Sequence, residues 1–147
     1  MNHRETQRGA DAPAIPLPVP NADNQGFWDG CRRGELRLQR CTKCGAWRHH
    51  PRPLCPACRS FDYDWALASG RGVVHTFTIV HRPTLPAFEA QLPYNVIVVR
   101  LEEGPFMVSN LIDYAPNDLR IDLPVEVMFE PLDDDIALPK FRPLRGA

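Results

Sequence analysis

Hydrophobic and polar residues change their period twice along this chain, and each change marks a new kind of element. Behind Asp23 or Asn24 as cap, Phe27, Trp28 and Cys31 fall at i, i+1 and i+4, which predicts a short helix with one apolar face. It ends near Gly34, with Arg32 and Arg33 at its carbonyl end. Gly26 and Gly30 weaken such a helix intrinsically, so it spans about three turns at most and needs Phe27 and Trp28 packed against something. From Glu35 the period becomes two. Leu36 and Leu38 alternate with Arg37 and Gln39, and further on Phe61, Tyr63 and Trp65 alternate with Asp62, Asp64 and Ala66, predicting two half-buried strands on either side of a cysteine-rich interval.

Beyond Ser69-Gly70-Arg71-Gly72 the pattern is strand throughout. The segments are Val73 to His81, Tyr94 to Leu101, Phe106 to Ile112, Val125 to Glu130 and a short last one from Ile136 to Phe141. Glu102-Glu103-Gly104-Pro105 joins the second to the third as a tight hairpin. Five short strands with no long helix leave open edges unless the sheet curls. A five-stranded OB-type barrel fits that count; a small sandwich or an SH3-like barrel fits the pattern almost as well. At the other end, alternating prolines in Ala12-Pro13-Ala14-Ile15-Pro16-Leu17-Pro18-Val19-Pro20 predict extended chain, either a loose leader or a segment whose Ile15, Leu17 and Val19 lie across a surface. The expected organisation is a Pro-rich tail (1–22), a short helix (23–35), a metal ribbon (36–66) and a barrel (67–147).

Composition narrows the class. With 147 residues, 44% hydrophobic and 24% charged, the chain suits one ordinary domain or two small ones, and its 16 prolines and 9 glycines stay short of a disordered composition. No window approaches the roughly 18 consecutive apolar residues of a membrane-spanning helix. Met1-Asn2-His3-Arg4-Glu5 lacks the apolar run of a secretory signal, so the expectation is a cytoplasmic protein without membrane insertion. Five cysteines in a reducing compartment then point to metal binding or catalysis, not to a disulfide framework.

Their spacing selects metal. Cys41-Thr42-Lys43-Cys44-Gly45 and Cys55-Pro56-Ala57-Cys58 form two C-x-x-C knuckles ten residues apart, and Gly45 lets the backbone bend after the first. Four thiolates complete a tetrahedral shell with no place for water, so one structural zinc ion is expected, with iron in a rubredoxin-like centre as the possible substitute. So short a segment cannot bury a core by itself, which makes metal binding part of its folding. His49 and His50, between the knuckles, read as exposed loop histidines. Cys31 lies outside the spacing and reads as a small apolar residue packed beside Trp28.

Charge is unevenly spread. Residues 1–66 hold ten Lys or Arg against seven Asp or Glu, and residues 67–147 hold seven against eleven. From Leu36 to Ser60 there are six cations, Arg37, Arg40, Lys43, Arg48, Arg52 and Arg59, and no acid. Four thiolates around a divalent ion add two negative charges and leave the stretch basic. These cations are the candidate anion-binding residues. Elsewhere the chemistry is thin. Gly70-Arg71-Gly72 lacks the remaining positions of a phosphate loop, His75 and His81 read as facing solvent or a polar partner, and Asp133-Asp134-Asp135 lacks the spaced oxygens of a calcium loop. No catalytic constellation is defensible.

The order of parts resembles a known family, the acyl-CoA-associated zinc-ribbon/OB-fold proteins, over Phe27 to about Pro143. The resemblance lies in Phe27-Trp28 with Gly34-Glu35-Leu36, Cys41-x-x-Cys44-Gly45, Pro51-Arg52-Pro53 before Cys55-Pro56-x-Cys58, and Trp65. It continues in Ser69-Gly70-x-Gly72 with Val74 and Phe77-Thr78, in Leu101-Glu102-Glu103-Gly104, and in Pro124-Val125 through Phe129 to Leu138-Pro139-Lys140-Phe141-Arg142-Pro143. Asp122-Leu123 departs from it, since similar proteins tend to carry a glycine in that turn.

The resemblance implies a mainly β protein with a rubredoxin-like zinc ribbon and a C-terminal OB-fold. It also implies a noncatalytic helper subunit of a thiolase-like or lipid-transfer-type acyl-CoA enzyme, or of a hotdog-fold hydratase, bridging subunits or holding the CoA part of an acyl-CoA. The basic ribbon suits the phosphates of CoA, and Trp47 is the candidate to stack on adenine; that residue assignment is an inference from this sequence. Two competitors stand beside it. Single-stranded nucleic-acid binding suits both folds but is opposed by the acidic barrel segment, and a lone electron carrier would require iron.

Overall fold

The computed structural model describes residues 13–146, and the first twelve residues of the expected tail lie outside the described residues. Helix α1 (Gln25–Arg32) makes about two turns. The expected side-chain cap is absent: the Asn24 Oδ1 instead accepts from the Asn21 N–H (2.7 Å), while the Asn21 Oδ1 accepts from the Asp23 and Asn24 N–H groups. Side chains that favour caps also favour tight turns, and here the turn before the helix takes them. Gly34, at φ +76°, then ends the helix in the left-handed region.

Gly26 explains how so poor a helix sequence is retained. A Cβ there would fall inside the Trp65 indole, so only glycine lets α1 lie this close to the first sheet. Docking in this way buries Phe27 and Cys31.

That first sheet has the order β2-β1-β3, all antiparallel, with β1 at Arg37–Cys41, β2 at Trp47–Arg48 and β3 at Tyr63–Leu67. Strand β2 is two residues long and carries no periodic signal, which is why the sequence pattern misses it. Strand β3 starts later than the aromatic alternation suggests. Phe61 is 70% exposed because Ser60 and Asp62 still belong to a turn, with the Asp62 N–H donating to the Ser60 Oγ (3.0 Å).

The second sheet has the order β6-β5-β4-β7-β8: β4 Arg71–Val80, β5 Tyr94–Leu101, β6 Phe106–Ser109, β7 Pro124–Pro131 and β8 Ala137–Pro143. A 3₁₀ helix over Pro86–Gln91, unanticipated from the pattern, interrupts the β4–β5 connection. Strand β6 stops at Ser109, short of the expected Ile112, because the chain turns there to meet β8. Leu111 bridges Phe141 in parallel, the Ile112 N–H donates to the Phe141 carbonyl (2.8 Å), and the Phe141 N–H donates to the Asn110 carbonyl (3.0 Å). The sheet curls on itself, as an OB-fold requires.

One core serves all of these parts. Phe27, Cys31, Leu36 and Leu38 from the helix and first sheet pack in the same cluster as Val74, Ile97, Val99, Met107, Val125 and Phe141 from the barrel. Of the tail, Leu17 and Val19 lie near Asp29 and Asp133, yet Val19 remains 84% exposed.

Asn95 holds the closure of the barrel. Buried on the inner face of β5, it donates from Nδ2 to the Leu111 carbonyl (2.9 Å) and the Tyr114 hydroxyl (3.1 Å), and its Oδ1 accepts from the Leu111 N–H (2.7 Å). Asn95→Ala would strand the buried main-chain groups of Leu111. Urea unfolding should show a loss of roughly 2–4 kcal/mol, and a loss under about 0.5 kcal/mol would contradict this role.

Candidate metal centre

The four knuckle cysteines converge. Their sulfurs all lie within 4.8 Å of one another, with Cys41 and Cys58 3.5 Å apart and Cys44 and Cys55 3.6 Å apart. Two similar turns set this geometry. In the first the Gly45 N–H donates to the Cys41 carbonyl (2.9 Å) and Gly45 sits at φ +74°; in the second the Arg59 N–H donates to the Cys55 carbonyl (2.9 Å) and Arg59 sits at φ +62°. Arg59 thus occupies a left-handed position that glycine takes in the other knuckle, at a cost on the order of 1–2 kcal/mol. The strain falls in a turn whose sulfurs, once ionised, demand a counter-charge.

The electrostatics supply that demand. Main-chain N–H groups of Cys44 and Lys43 hold the Cys41 thiol below its ordinary range, and those of Cys58 and Ala57 bring Cys55 down to about 6. The Ser60 N–H favours the Cys58 thiolate as well, yet its neighbour Cys41, burial and the remaining sulfurs push that thiol up to about 11. Donors aimed at sulfurs that cannot all ionise together have the chemistry of a cation-binding shell. A tetrahedral ion with sulfurs at about 2.3 Å sets them about 3.8 Å apart, close to the observed spacing, so the residues fit zinc. The four sulfurs fill its coordination and leave no position for substrate.

The expected cations separate into two groups. Arg48 is the clear correction: it is 5% exposed, its Nε donates to the buried Gln39 Oε1 (2.6 Å), and its guanidinium lies 5.0 Å from the Tyr63 ring centroid. It serves the ribbon's interior, not an anion at the surface. Arg37 is held by Glu35 (2.7 Å) and the Trp65 carbonyl (3.2 Å), and it pulls the Glu35 carboxyl below its ordinary range. Trp47 packs against the core, with the Arg40 guanidinium 5.1 Å from its ring centroid, so the adenine stack would have to share or displace Arg40. Arg40, Lys43, Arg52 and Arg59 remain exposed around the knuckles.

Two further readings are refined. His49 is not an exposed loop residue: it is half-buried, 5.3 Å from the Phe27 ring. Burial, followed by the charge of His50, pulls its pKa down to about 4, so it is neutral at pH 7. Cys31 is fully buried, and burial pushes its thiol up to about 12, which makes it inert. Sequence reasoning missed the burial of Gln39. Its place in an alternating strand gives no warning, because its Oε1 accepts from groups distant in sequence, the Arg48 Nε–H (2.6 Å) and the Arg52 main-chain N–H (2.9 Å). A cleft of about 230 Å³ opens where helix, ribbon and barrel meet, between Phe27, Trp28 and His50 on one side and Met107, Leu138 and Lys140 on the other.

Comparison with known proteins places these parts together. Residues 28–64 match the family model described as the ChsH2 rubredoxin-like zinc ribbon domain, and residues 65–130 match the ChsH2 C-terminal OB-fold domain. A probable enoyl-CoA hydratase alpha subunit of Thermomonospora curvata is 41% identical over 128 residues, covering 87% of this chain but 40% of that protein. The chain therefore spans about two fifths of that relative. A DUF35 domain-containing scaffold protein of Methanocaldococcus jannaschii is 34% identical over 97 residues, covering 65% of this chain and 68% of its own. Among solved structures, a chain of the Ltp2-ChsH2(DUF35) aldolase superposes with a TM-score of 0.77 at 40% identity, over 86% of this chain and 98% of that one.

Two outcomes follow from the site. Removing the ion with a strong chelator, or making Cys55→Ser, should lower the melting temperature of the whole chain, because Leu36 and Leu38 belong to the shared core. Calorimetry alongside metal analysis checks this; an unchanged melt after complete metal loss would sink it. Separately, between about pH 6.5 and about pH 4 the unfolded chain takes up a proton that folded His49 refuses, so stability should fall as pH drops through that window. In paired unfolding curves at pH 7 and pH 5, His49→Gln should show a smaller loss than the parent chain, and equal losses would exclude the histidine as the cause.

Proposed function

The chain belongs to the ChsH2-type family of rubredoxin-like zinc-ribbon and OB-fold proteins, and from that premise we propose that it is a noncatalytic, zinc-stapled subunit of an acyl-CoA enzyme complex. In this reading one zinc ion staples the ribbon, and the chain bridges subunits or holds the CoA part of the substrate while a thiolase-like or lipid-transfer-type partner performs the chemistry. A hotdog-fold hydratase is the second partner class. The observation that carries the reading is the 40% identity, over 98% of its length, to a chain of the Ltp2-ChsH2(DUF35) aldolase. The hydratase alpha-subunit name of the Thermomonospora relative supports the same acyl-CoA setting.

The site's chemistry agrees with a supporting part. Four thiolates would complete the coordination of a bound zinc ion, and a buried, inert Cys31 offers no nucleophile. A four-thiolate zinc site in place of disulfides suits a reducing cytoplasm. For CoA, the exposed Arg40, Lys43, Arg52 and Arg59 are the phosphate-binding candidates that remain after Arg48 is assigned to the interior, with Trp47 beside Arg40 for the base. Nothing in the geometry favours the nucleic-acid alternative. The barrel strands that would carry such a ligand lie in the acidic part of the chain.

Tagged protein expressed at near-native level should capture a thiolase-like or hydratase subunit and show no hydration or aldol turnover by itself. Calorimetric titration of the captured complex with CoA should give an affinity that Lys43→Glu combined with Arg52→Glu weakens at least tenfold, about 1.4 kcal/mol. Capture of the chain alone, with no CoA binding, would refute the reading.

A further inference from the structure

The four knuckle cysteines are not equally reachable. Each knuckle opens with a buried cysteine, Cys41 at 2% exposure and Cys55 at 0%, and closes with an exposed one, Cys44 or Cys58. The exposed Cys58 sulfur lies 3.5 Å from the buried Cys41 sulfur, and the exposed Cys44 sulfur lies 3.6 Å from the buried Cys55 sulfur. Each exposed sulfur therefore has a shielded sulfur of the opposite knuckle beside it. A disulfide requires such a pair to close by about 1.5 Å.

Reactivity toward an oxidant follows thiolate character and access, and an adjacent second thiol turns the first oxidation product into a reversible disulfide. A divalent ion on four cysteines makes all of them thiolates, which leaves access as the difference among them. Access singles out Cys44 and Cys58. An exposed cation adjoins each in sequence, Lys43 before Cys44 and Arg59 after Cys58, and Leu36 to Ser60 holds no acid to repel the anionic sulfur. The fifth cysteine, Cys31, is fully buried outside the cluster.

We propose that Cys44 and Cys58 are oxidation sites for a small peroxide, and that the ribbon is a reversible redox switch that exchanges its zinc ion for two disulfides, Cys41–Cys58 and Cys44–Cys55. In each half the exposed thiolate attacks one peroxide oxygen. The O–O bond breaks, the sulfur becomes a sulfenic acid, and the other oxygen leaves as hydroxide. The buried partner thiolate then attacks the sulfenic sulfur; the S–S bond forms, the S–O bond breaks and a second hydroxide leaves. Two thiolates thus lose two electrons to one hydrogen peroxide, which with two protons from solvent ends as two waters. The metal keeps its charge and is released because its donors are gone.

Crossed pairing has a structural consequence. Cys41 ends β1, whereas Cys55 and Cys58 lie on the segment leading into β3, so both disulfides join the same two parts of the chain that the ion joins. The oxidised ribbon stays closed, Leu36 and Leu38 keep their places in the shared core, and reduction restores the site. The inference rests on the zinc-ribbon part of the proposed function and is independent of the acyl-CoA part.

The test uses the full chain, with zinc measured first, then treated with hydrogen peroxide beside a metal-binding dye. Zinc should appear in solution as four of the five thiols disappear. Brief exposure with dimedone should label Cys44 or Cys58, not Cys41 or Cys55. Trypsin cuts after Arg40, Lys43, Arg48 and Arg59, so crossed disulfides give one species in which the Cys41 and Cys44 peptides are both attached to the peptide that carries Cys55 and Cys58. Dithiothreitol with zinc should restore one ion per chain, and the oxidised, metal-free chain should melt above the reduced, chelated one. Cys41 joined to Cys44, dimedone on the buried pair, sulfinic acid in place of disulfides, or an oxidised chain that melts no higher than the chelated one would overturn the proposal. Zinc retained under excess peroxide refutes the switch alone, whereas a chain that holds no zinc at the outset refutes the zinc reading and the switch with it.

Discussion

Four sulfurs crowded within 4.8 Å of one another cannot all be ionised without a cation, and most of the ribbon is arranged around that constraint. Two knuckles aim main-chain N–H groups at Cys41 and Cys55, and Arg59 accepts a left-handed backbone so that the second knuckle matches the first. A resident ion would link strands β1 and β2 to the segment leading into β3. It would join parts of the chain that share little apolar area of their own.

The ribbon is nevertheless not an independent bead. Leu36 and Leu38 leave β1 into the same core as Val74, Ile97 and Phe141, and Phe27 reaches that core from α1. Gly26 makes the arrangement possible by letting the helix backbone approach the Trp65 ring, so a residue that is unfavourable for helix formation becomes favourable for packing. On the far side Asn95 and the Leu111–Phe141 bridge close the barrel. Metal site, helix and barrel therefore share their stability, and a change at one is felt at the others.

That coupling also shapes the surface left for partners. Burial removes Arg48 from the basic patch and an ion pair occupies Arg37, so the cations free to meet an anion are fewer than the sequence count and lie on the knuckles. The ribbon keeps Arg40, Lys43, Arg52 and Arg59 exposed, and in the second sheet β4 outruns β7 beyond Val73.

The sequence by itself determined the sulfur tetrad, the alternation of Tyr94–Leu101, the β-rich class and the order of ribbon before barrel. Local spacing and two-residue periodicity are imposed by the chain's own stereochemistry and need no distant contact to be read. Tertiary structure decided the remainder. Gln39 is held by the Arg48 side chain and the Arg52 main chain, Arg48 also lies over Tyr63, and burial followed by the charge of His50 lowers the His49 pKa. The short strand β2, the stop of β6 at Ser109 and the hub at Asn95 depend on partners distant along the chain, nine residues apart for Gln39 and Arg48 and thirty for Leu111 and Phe141. A polar residue in an alternating strand reads as solvent-facing until something is packed on that face, and what packs there is a property of the whole fold.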